Sequence, residues 1–410
     1  MAVKKRNKEL EKRLQMWLLG AVSVFSLMLG SGSFLKEKVF YTTQLSADSL
    51  KNLKELNSKY DFSFDKKLVG GDTSLVAELA TANVLDSSTE DHKGLIISMD
   101  ESLTKGGLVL LKPNHDIPVD ALQNIADEYK ASIPEFENVE VDKDVEMEGS
   151  PVYDINYENP IVPTLAVELA SEPTGTPLKI AVIDSGIDTT HEIFKNTSLE
   201  TGWNTIDNNS TMYDDVGHGT HMAGIIAQND PNAVIVPYKI AGANGGELSN
   251  VLTAYQMAID DGVTIINSSF GVINDSYSLK KLVKKAQKKG IIIVAAAGNN
   301  NSEGPFFPAE YSESIAIASV DVNGEKMPKS NYGYWIDLAS LGDKIASSVP
   351  GNAYAYKSGT SPATAYVSAK IGVFIEKNGL MAAKKIIKSL TTSASSKIPD
   401  GELAGIPIVK

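Results

Sequence analysis

The sequence predicts an α/β protein with a parallel, doubly wound sheet, preceded by a small α+β domain. From residue 177 onward, strand-like runs that are apolar throughout alternate with helical patterns, as in a parallel sheet covered on both faces. A shorter strand, helix and strand pattern occupies 107–148. The charge balance also changes twice, from +4 over 1–35 to −11 over 36–150 and −6 over the remainder. Three segments follow: a targeting segment 1–35, an acidic region 36–150 whose compact part is 107–148, and a main domain 151–410.

The first segment opens with Lys4, Lys5, Arg6, Lys8, Lys12 and Arg13, followed by the apolar run MWLLGAVSVFSLML (16–29) and then Gly30, Ser31, Gly32 and Ser33. A basic start, an apolar stretch without a polar face and small residues after it read as a secretory signal. The uncharged stretch 14–35 is also long enough to span a bilayer, so cleaved signal and retained anchor both fit. Either places the rest of the chain outside the cell, secreted or attached to the envelope, with the membrane met only through this segment.

The acidic region has a candidate helix at 49–59 and no assignable chemistry before residue 105. Its compact part reads as a strand LVLLK (108–112), a helix ALQNIADEY (121–129) and the alternating VEVDKDVEM (139–147). In the main domain the strands are LKIAVI (178–183), AVIVPYKI (233–240), VTIINSS (263–269), IIIVAAA (291–297) and SIAIASV (314–320). Helices are expected at 248–261, 277–289, 361–377 and 381–393. In such sheets, sites form beyond the carboxyl ends of the strands.

Composition removes several chemistries. With no Cys there is no thiol catalysis, thiolate metal site or disulfide. A net charge of −13 leaves no broad electrostatic grip on nucleic acid.

Three polar segments stand where chemistry is expected. Asp184 ends the first main-domain strand in IDSGID, with Gly186 permitting the turn. His218 and His221 open an apolar helix in GHGTHMAGIIA. Ser361 lies in SGTSPATAYVSA, with Pro362 suited to a first helical turn. Singly, Asp184 reads as a turn former, Ser361 as a helix cap, and the His pair as packed residues or metal ligands. Together they supply the nucleophile, base and orienting carboxylate of acyl transfer, and the order Asp, His, Ser is that of subtilisin rather than chymotrypsin or the α/β-hydrolases.

On these motifs the chain resembles the subtilisin-like serine proteases over about 177–393. The resemblance implies the subtilisin type of sheet, with Asp184, His218 and Ser361 as the triad and His221 as a packed helix residue. AAAGNN (295–300) resembles the segment whose first Asn supplies the oxyanion-hole amide, which assigns that role to Asn299. INSSFG (266–271) is similar to the strand that pairs with substrate backbone and lines the primary pocket, giving Ser269, Phe270 and Gly271 as substrate-binding residues. Leu248 and Asn300 are further candidate cleft residues. The usual Met, Pro and His after the nucleophile are replaced by Pro362, Ala365 and Tyr366, which implies an altered helix start. The link QNDPN (228–232) is shorter than in relatives that build a calcium site there, and Asp188, Asp214 and Asp215 alone do not make one. No cofactor is therefore expected.

The segment 107–148 resembles the family's propeptide, so the partners expected are a peptide or protein substrate and the chain's own propeptide. Size, absence of Cys and a minimal core resemble the branch that trims leader peptides from lantibiotics and related secreted peptides. The implied function is an exported, self-processing serine endopeptidase of that kind. A general extracellular protease, an ester hydrolase or a catalytically silent peptide binder are the alternatives. Residues 135–148 carry seven acids against Lys143. If the tail is the first substrate, the cut falls after an acidic residue, Glu146 or Glu148 before Glu90 or Glu135.

Overall fold

The computed structural model describes residues 45–65, 93–99, 107–147, 177–381, 401–403 and 406–409. The apolar run 16–29, Glu90, Glu148 and most of the expected helix 381–393 lie outside them. No helix among the described residues is long and apolar enough to cross a membrane.

In the small domain, Ser46 caps the helix Ala47–Tyr60 by accepting the Ser49 N–H at 3.1 Å. The helix runs into β1 (Phe62–Asp65) through Asp61. Then come β2 (Leu95–Met99), β3 (Leu108–Pro113), the helix Val119–Ser132 and β4 (Phe136–Val141). The strands form one antiparallel sheet in the order β1-β3-β2-β4. It thus draws in Phe62–Asp65 and Leu95–Met99, both upstream of the expected compact part.

Strand alternation sends Leu95, Ile97, Met99, Val109 and Leu111 into a core with the domain's own two helices. Ile96, Leu108 and Leu110 instead join the core of the main domain. The small sheet is therefore buried on both faces, the second against helices Leu248–Asp260 and Tyr277–Lys288. Two carboxylates of the small domain meet the N-termini of these helices, where backbone N–H groups lack intrahelical partners. Glu140 accepts from Ser276 Oγ at 3.2 Å and Ser278 N–H at 3.0 Å, and Asp142 Oδ1 accepts from Ser249 N–H at 2.9 Å.

After β5 (Asp144–Met147), the main domain begins with β6 (Lys179–Asp184), the short β7 (Ser198–Leu199) and β8 (Trp203–Asn204), then the helix Gly219–Asn229. β9 (Val234–Lys239) leads into the hairpin of β10 (Ala241–Gly242) and β11 (Gly245–Glu247). Next along the chain are β12 (Ile265–Ser268), β13 (Phe270–Gly271), β14 (Ile292–Ala296), β15 (Ser314–Val320) and β16 (Leu338–Leu341). The hairpin of β17 (Ile345–Val349) and β18 (Ala353–Lys357) precedes the helix Thr360–Asn378, and β19 (Ile408–Val409) closes the edge.

The main sheet is parallel throughout, in the order β19-β16-β15-β14-β12-β6-β9-β7, with β8 also on β9. Its strands alternate between two cores. Ala181, Ile183, Val236 and Ile266 face helices Leu248–Asp260 and Tyr277–Lys288, whereas Ile180, Val182, Ile235 and Ile265 face helices Gly219–Asn229 and Thr360–Asn378. This is the predicted doubly wound arrangement. β6 sits between β12 and β9, so the chain leaves it toward opposite sides and a crevice opens past its carboxyl end. Asp184 is the last residue of β6.

Candidate functional site

Asp184 is buried, and its Oδ1 accepts the Ser185 N–H and faces His218 Nδ1, each at 2.7 Å. That contact fixes the imidazole with its proton on Nδ1 and leaves Nε2 as the basic nitrogen. His218 is held from both sides by Asp214. Asp214 Oδ1 accepts from Ser185 Oγ, Val216 N–H and Gly217 N–H at 2.8, 3.1 and 2.7 Å, and Oδ2 accepts from Thr220 N–H at 2.8 Å. Ser185 Oγ in turn accepts the Gly219 N–H at 2.9 Å.

His221 points elsewhere. Its Nε2 lies 3.1 Å from the Ala355 carbonyl, and burial, with Lys357 nearby, pushes its pKa down to about 3. It is a packed, neutral ring, so the two histidines do not converge on a common ligand. Among the described residues no group of three or more His, Asp or Glu is arranged to hold a metal ion. Asp188 takes Thr190 and Gly351 N–H groups, while Asp215 pairs with the buried Lys239 at 2.6 Å and accepts Ala243 N–H.

Ser361 lies in the first turn of the helix Thr360–Asn378. Pro362 fits that turn without interrupting the helix. Gly359 precedes it at φ +141°, where a Cβ would stand 2.9 Å from Asn299 Oδ1. That close approach lets Asn299 Oδ1 accept the Thr360 N–H at 2.9 Å, which orients the carboxamide beside Ser361. Ser361 Oγ donates to the Ser269 carbonyl at 3.4 Å, and His218 Nε2 is buried without a hydrogen-bond partner. The Ser–His hydrogen bond is thus not formed here, as is common before a substrate carbonyl is seated. Asn331 shapes the loop after Asn299: its Oδ1 accepts Asn300 and Ser302 N–H groups, and its Nδ2 donates to Ala297 O at 2.9 Å.

The cleft itself is marked by β5. This strand lies antiparallel between β11 and β13, with Val145 opposite Gly246, Glu146 opposite Gly271 and Met147 opposite Phe270. Val145 is buried in the same apolar cluster as Leu248 and Phe270, and Met147 packs against it. Asn300 is exposed, with Nδ2 3.5 Å from Glu146 Oε2. Of the five expected substrate-side residues, Phe270 and Gly271 pair with β5, Leu248 shares the apolar cluster of Val145, Asn300 reaches toward Glu146, and Ser269 lies beside Ser361. The edge strand Gly245–Glu247 was not read from the sequence, although the glycine pair in GANGGE marks a close backbone approach.

A model of the subtilase family matches residues 175–405. The chain belongs to that family. Among its relatives, the thermophilic serine proteinase of Bacillus sp. (strain AK1) is 39% identical over 46% of this chain, which spans 50% of that protein. Thermitase of Thermoactinomyces vulgaris is 37% identical over 48% of this chain and 75% of its own length. The chain thus spans only half the length of the first of these relatives. A solved lanthipeptide protease superposes with a TM-score of 0.53 at 25% identity, covering 58% of this chain and 86% of that one. As a subtilase the molecule carries two features that no motif disclosed, the Asp214 clamp and the small sheet docked on two helices.

Proposed function

We propose that this subtilase is an exported serine endopeptidase made as a self-processing zymogen, whose first substrate is its own tail at β5. The observation that carries the reading is the pairing of β5 with both β11 and β13, the mode in which an extended peptide adds to exposed strand edges. Ser361 attacks the scissile carbonyl and His218 Nε2 takes its proton, while Asp184 orients the ring and stabilises the imidazolium. The Asn299 amide and the Ser361 N–H receive the oxyanion. All four groups belong to the chain itself, and the reaction needs no cofactor. The basic and apolar residues of 1–35 supply the export signal.

In an antiparallel register with Met147 opposite Phe270, the next residue of a bound substrate would stand opposite Ser269, whose carbonyl lies beside Ser361 Oγ. Of the two favoured acids, Glu146 and Glu148, this register supports a cut after Glu148. The likeness to a lanthipeptide protease supports a role in trimming leader peptides from secreted, lantibiotic-like peptides. The test is the N-terminus of the secreted protein by mass spectrometry, beside Ser361→Ala. Wild type should begin at Gly149 and the variant should stay uncut. Identical processing of both in a protease-free host overturns self-cleavage, and a cut after a basic or aromatic residue overturns the acidic preference. Efficient cleavage of unrelated proteins, with no preference for leader peptides, would make it a general extracellular protease.

A further inference from the structure

We propose that Phe306 closes the floor of the pocket for the residue on the acyl side of the cut bond, so that the enzyme selects short side chains, or ones that stay at the rim. The inference rests on the endopeptidase reading and names the specificity of that same site. Phe307 and Val272 exchange two backbone hydrogen bonds, each of 2.9 Å, which lays the segment carrying Phe306 alongside β13. A Cβ on Gly271 would stand 2.2 Å from Phe306 Cε1 and 2.5 Å from Cζ, and one on Gly298 would stand 3.2 Å from Cδ1. The ring therefore lies in contact with two glycines, one on β13 and one just before Asn299. It is buried among Ala295, Ala297, Ala309 and Ala316, small residues that leave room for it.

The register of β5 fixes which substrate residue meets this ring. Directly opposed residues of an antiparallel pair share a face. A substrate residue opposite Ser269, two on from the one opposite Gly271, thus turns its side chain to the face on which a Gly271 Cβ would meet Phe306, and under this proposal it enters between Gly271 and Gly298. An aromatic ring already fills the bottom of that gap. Phe, Tyr, Leu or Lys at this substrate position find no depth in which to bury, whereas Gly, Ala and Ser need none. A Glu side chain can lie along the mouth, with its carboxylate in water and beside the Asn300 amide, which already reaches toward Glu146.

The experiment is a panel of peptides differing only at this residue, cut by processed wild-type enzyme and by Phe306→Ala and Phe306→Leu. Wild type should favour Ala, Ser and Glu over Phe and Lys by at least about tenfold in kcat/KM, the discrimination typical of a pocket lacking one or more methylene spaces. Phe306→Ala should raise the Phe-to-Ala ratio by about tenfold or more. Phe306→Leu, which keeps the core filled, should move it in the same direction by less. A panel varied on the leaving-group side should keep its ranking, a pattern that general loosening of the fold would not give. Binding of the same peptides to Ser361→Ala reads the pocket without turnover, so failure of the catalytic assignment stays distinguishable. Equal handling of Phe and Ala by wild type, or an unchanged ratio in both variants, overturns the proposal.

Discussion

Asp142 Oδ1 accepts the Ser249 N–H at 2.9 Å, so a carboxylate of the small domain caps a helix of the main domain from inside their interface. Burial, with Glu247 nearby, raises the Asp142 pKa from 3.8 to about 7, and Lys112, paired with Glu247 at 3.1 Å, only partly offsets this. An acid with a raised folded pKa stabilises its docked state fully below the unfolded value and loses that contribution as pH rises through the folded one. Docking of the small domain should therefore weaken from about pH 4 to pH 7. Hydrogen exchange of the β5 amides in uncut Ser361→Ala should show protection falling across this window. Adding Asp142→Asn should flatten the dependence, and an unchanged slope would remove Asp142 as its source.

The second prediction concerns the reacting groups. Ser361→Ala and His218→Ala should each lower kcat by several orders of magnitude, and Asn299→Ala by about 10²- to 10³-fold, the usual loss for one oxyanion donor. Substrate binding should persist, because β11 and β13 are untouched. Turnover by Ser361→Ala at the wild-type rate would refute the assignment.

Asp214 touches no reacting atom but fixes the backbone on both sides of His218. Asp214→Asn converts one of its acceptors into a donor facing N–H groups. A fall in kcat of about 10- to 100-fold is expected, the scale of a small misplacement of a catalytic group, with little change in KM and an altered pH profile. Parallel losses in kcat and protein yield, with the pH profile unmoved, would reduce Asp214 to a folding role.

A fourth prediction lies behind the site. Asp230 is buried with only weak contacts from the Ala233 and Asn232 N–H groups to its carboxylate, and a Cβ on Gly372 would stand 2.3 Å from its Oδ2. Burial, then Glu376, raises its pKa to about 7, and the Glu376 pKa is raised as well. By the same sign, the contribution of Asp230 to stability is fully present below about pH 4, falls between about pH 4 and pH 7, and is lost above that. Asp230→Asn should stabilise the protein at pH 8 by an amount on the order of a few kcal/mol, raising Tm by several degrees, with a smaller gain at pH 5 and little effect at pH 4. A lower Tm at pH 8 would count against it.

The main sheet was legible because β6, β9, β12, β14 and β15 are apolar on both faces, as strands of a covered parallel sheet must be and as a surface helix is not. The polar motifs at their ends were legible because Asp184, His218 and Ser361 each interrupt such a pattern at a strand end or helix start. β1 and β2 were not. FSFD alternates over only four residues, and LIISM gains its sheet partners only from residues 108–113 and 136–141. β16 and β17 are rich in Ala and Ser, which carry little strand signal. Phe306 was missed because its role depends on two glycines distant in sequence, a relation that only the fold creates.

The two sheets differ in how far apart their partners lie along the chain. The widest pairing in the small sheet joins Phe62 to Pro113, 51 positions apart, whereas the main sheet must bring Ile180 to Ile265 and Ser340 to Val409, 85 and 69 apart. Parallel pairings of that span are slow to form, because loop-closure entropy is lost before contacts reward it. A docked small domain gathers β11, β13 and two helix starts onto one surface and so shortens the search. Under the maturation proposed above, cutting the tail removes that mould. If the cut chain has no quick route back from the unfolded state, the working lifetime of the mature enzyme is set by the height of its unfolding barrier, a rate rather than an equilibrium constant.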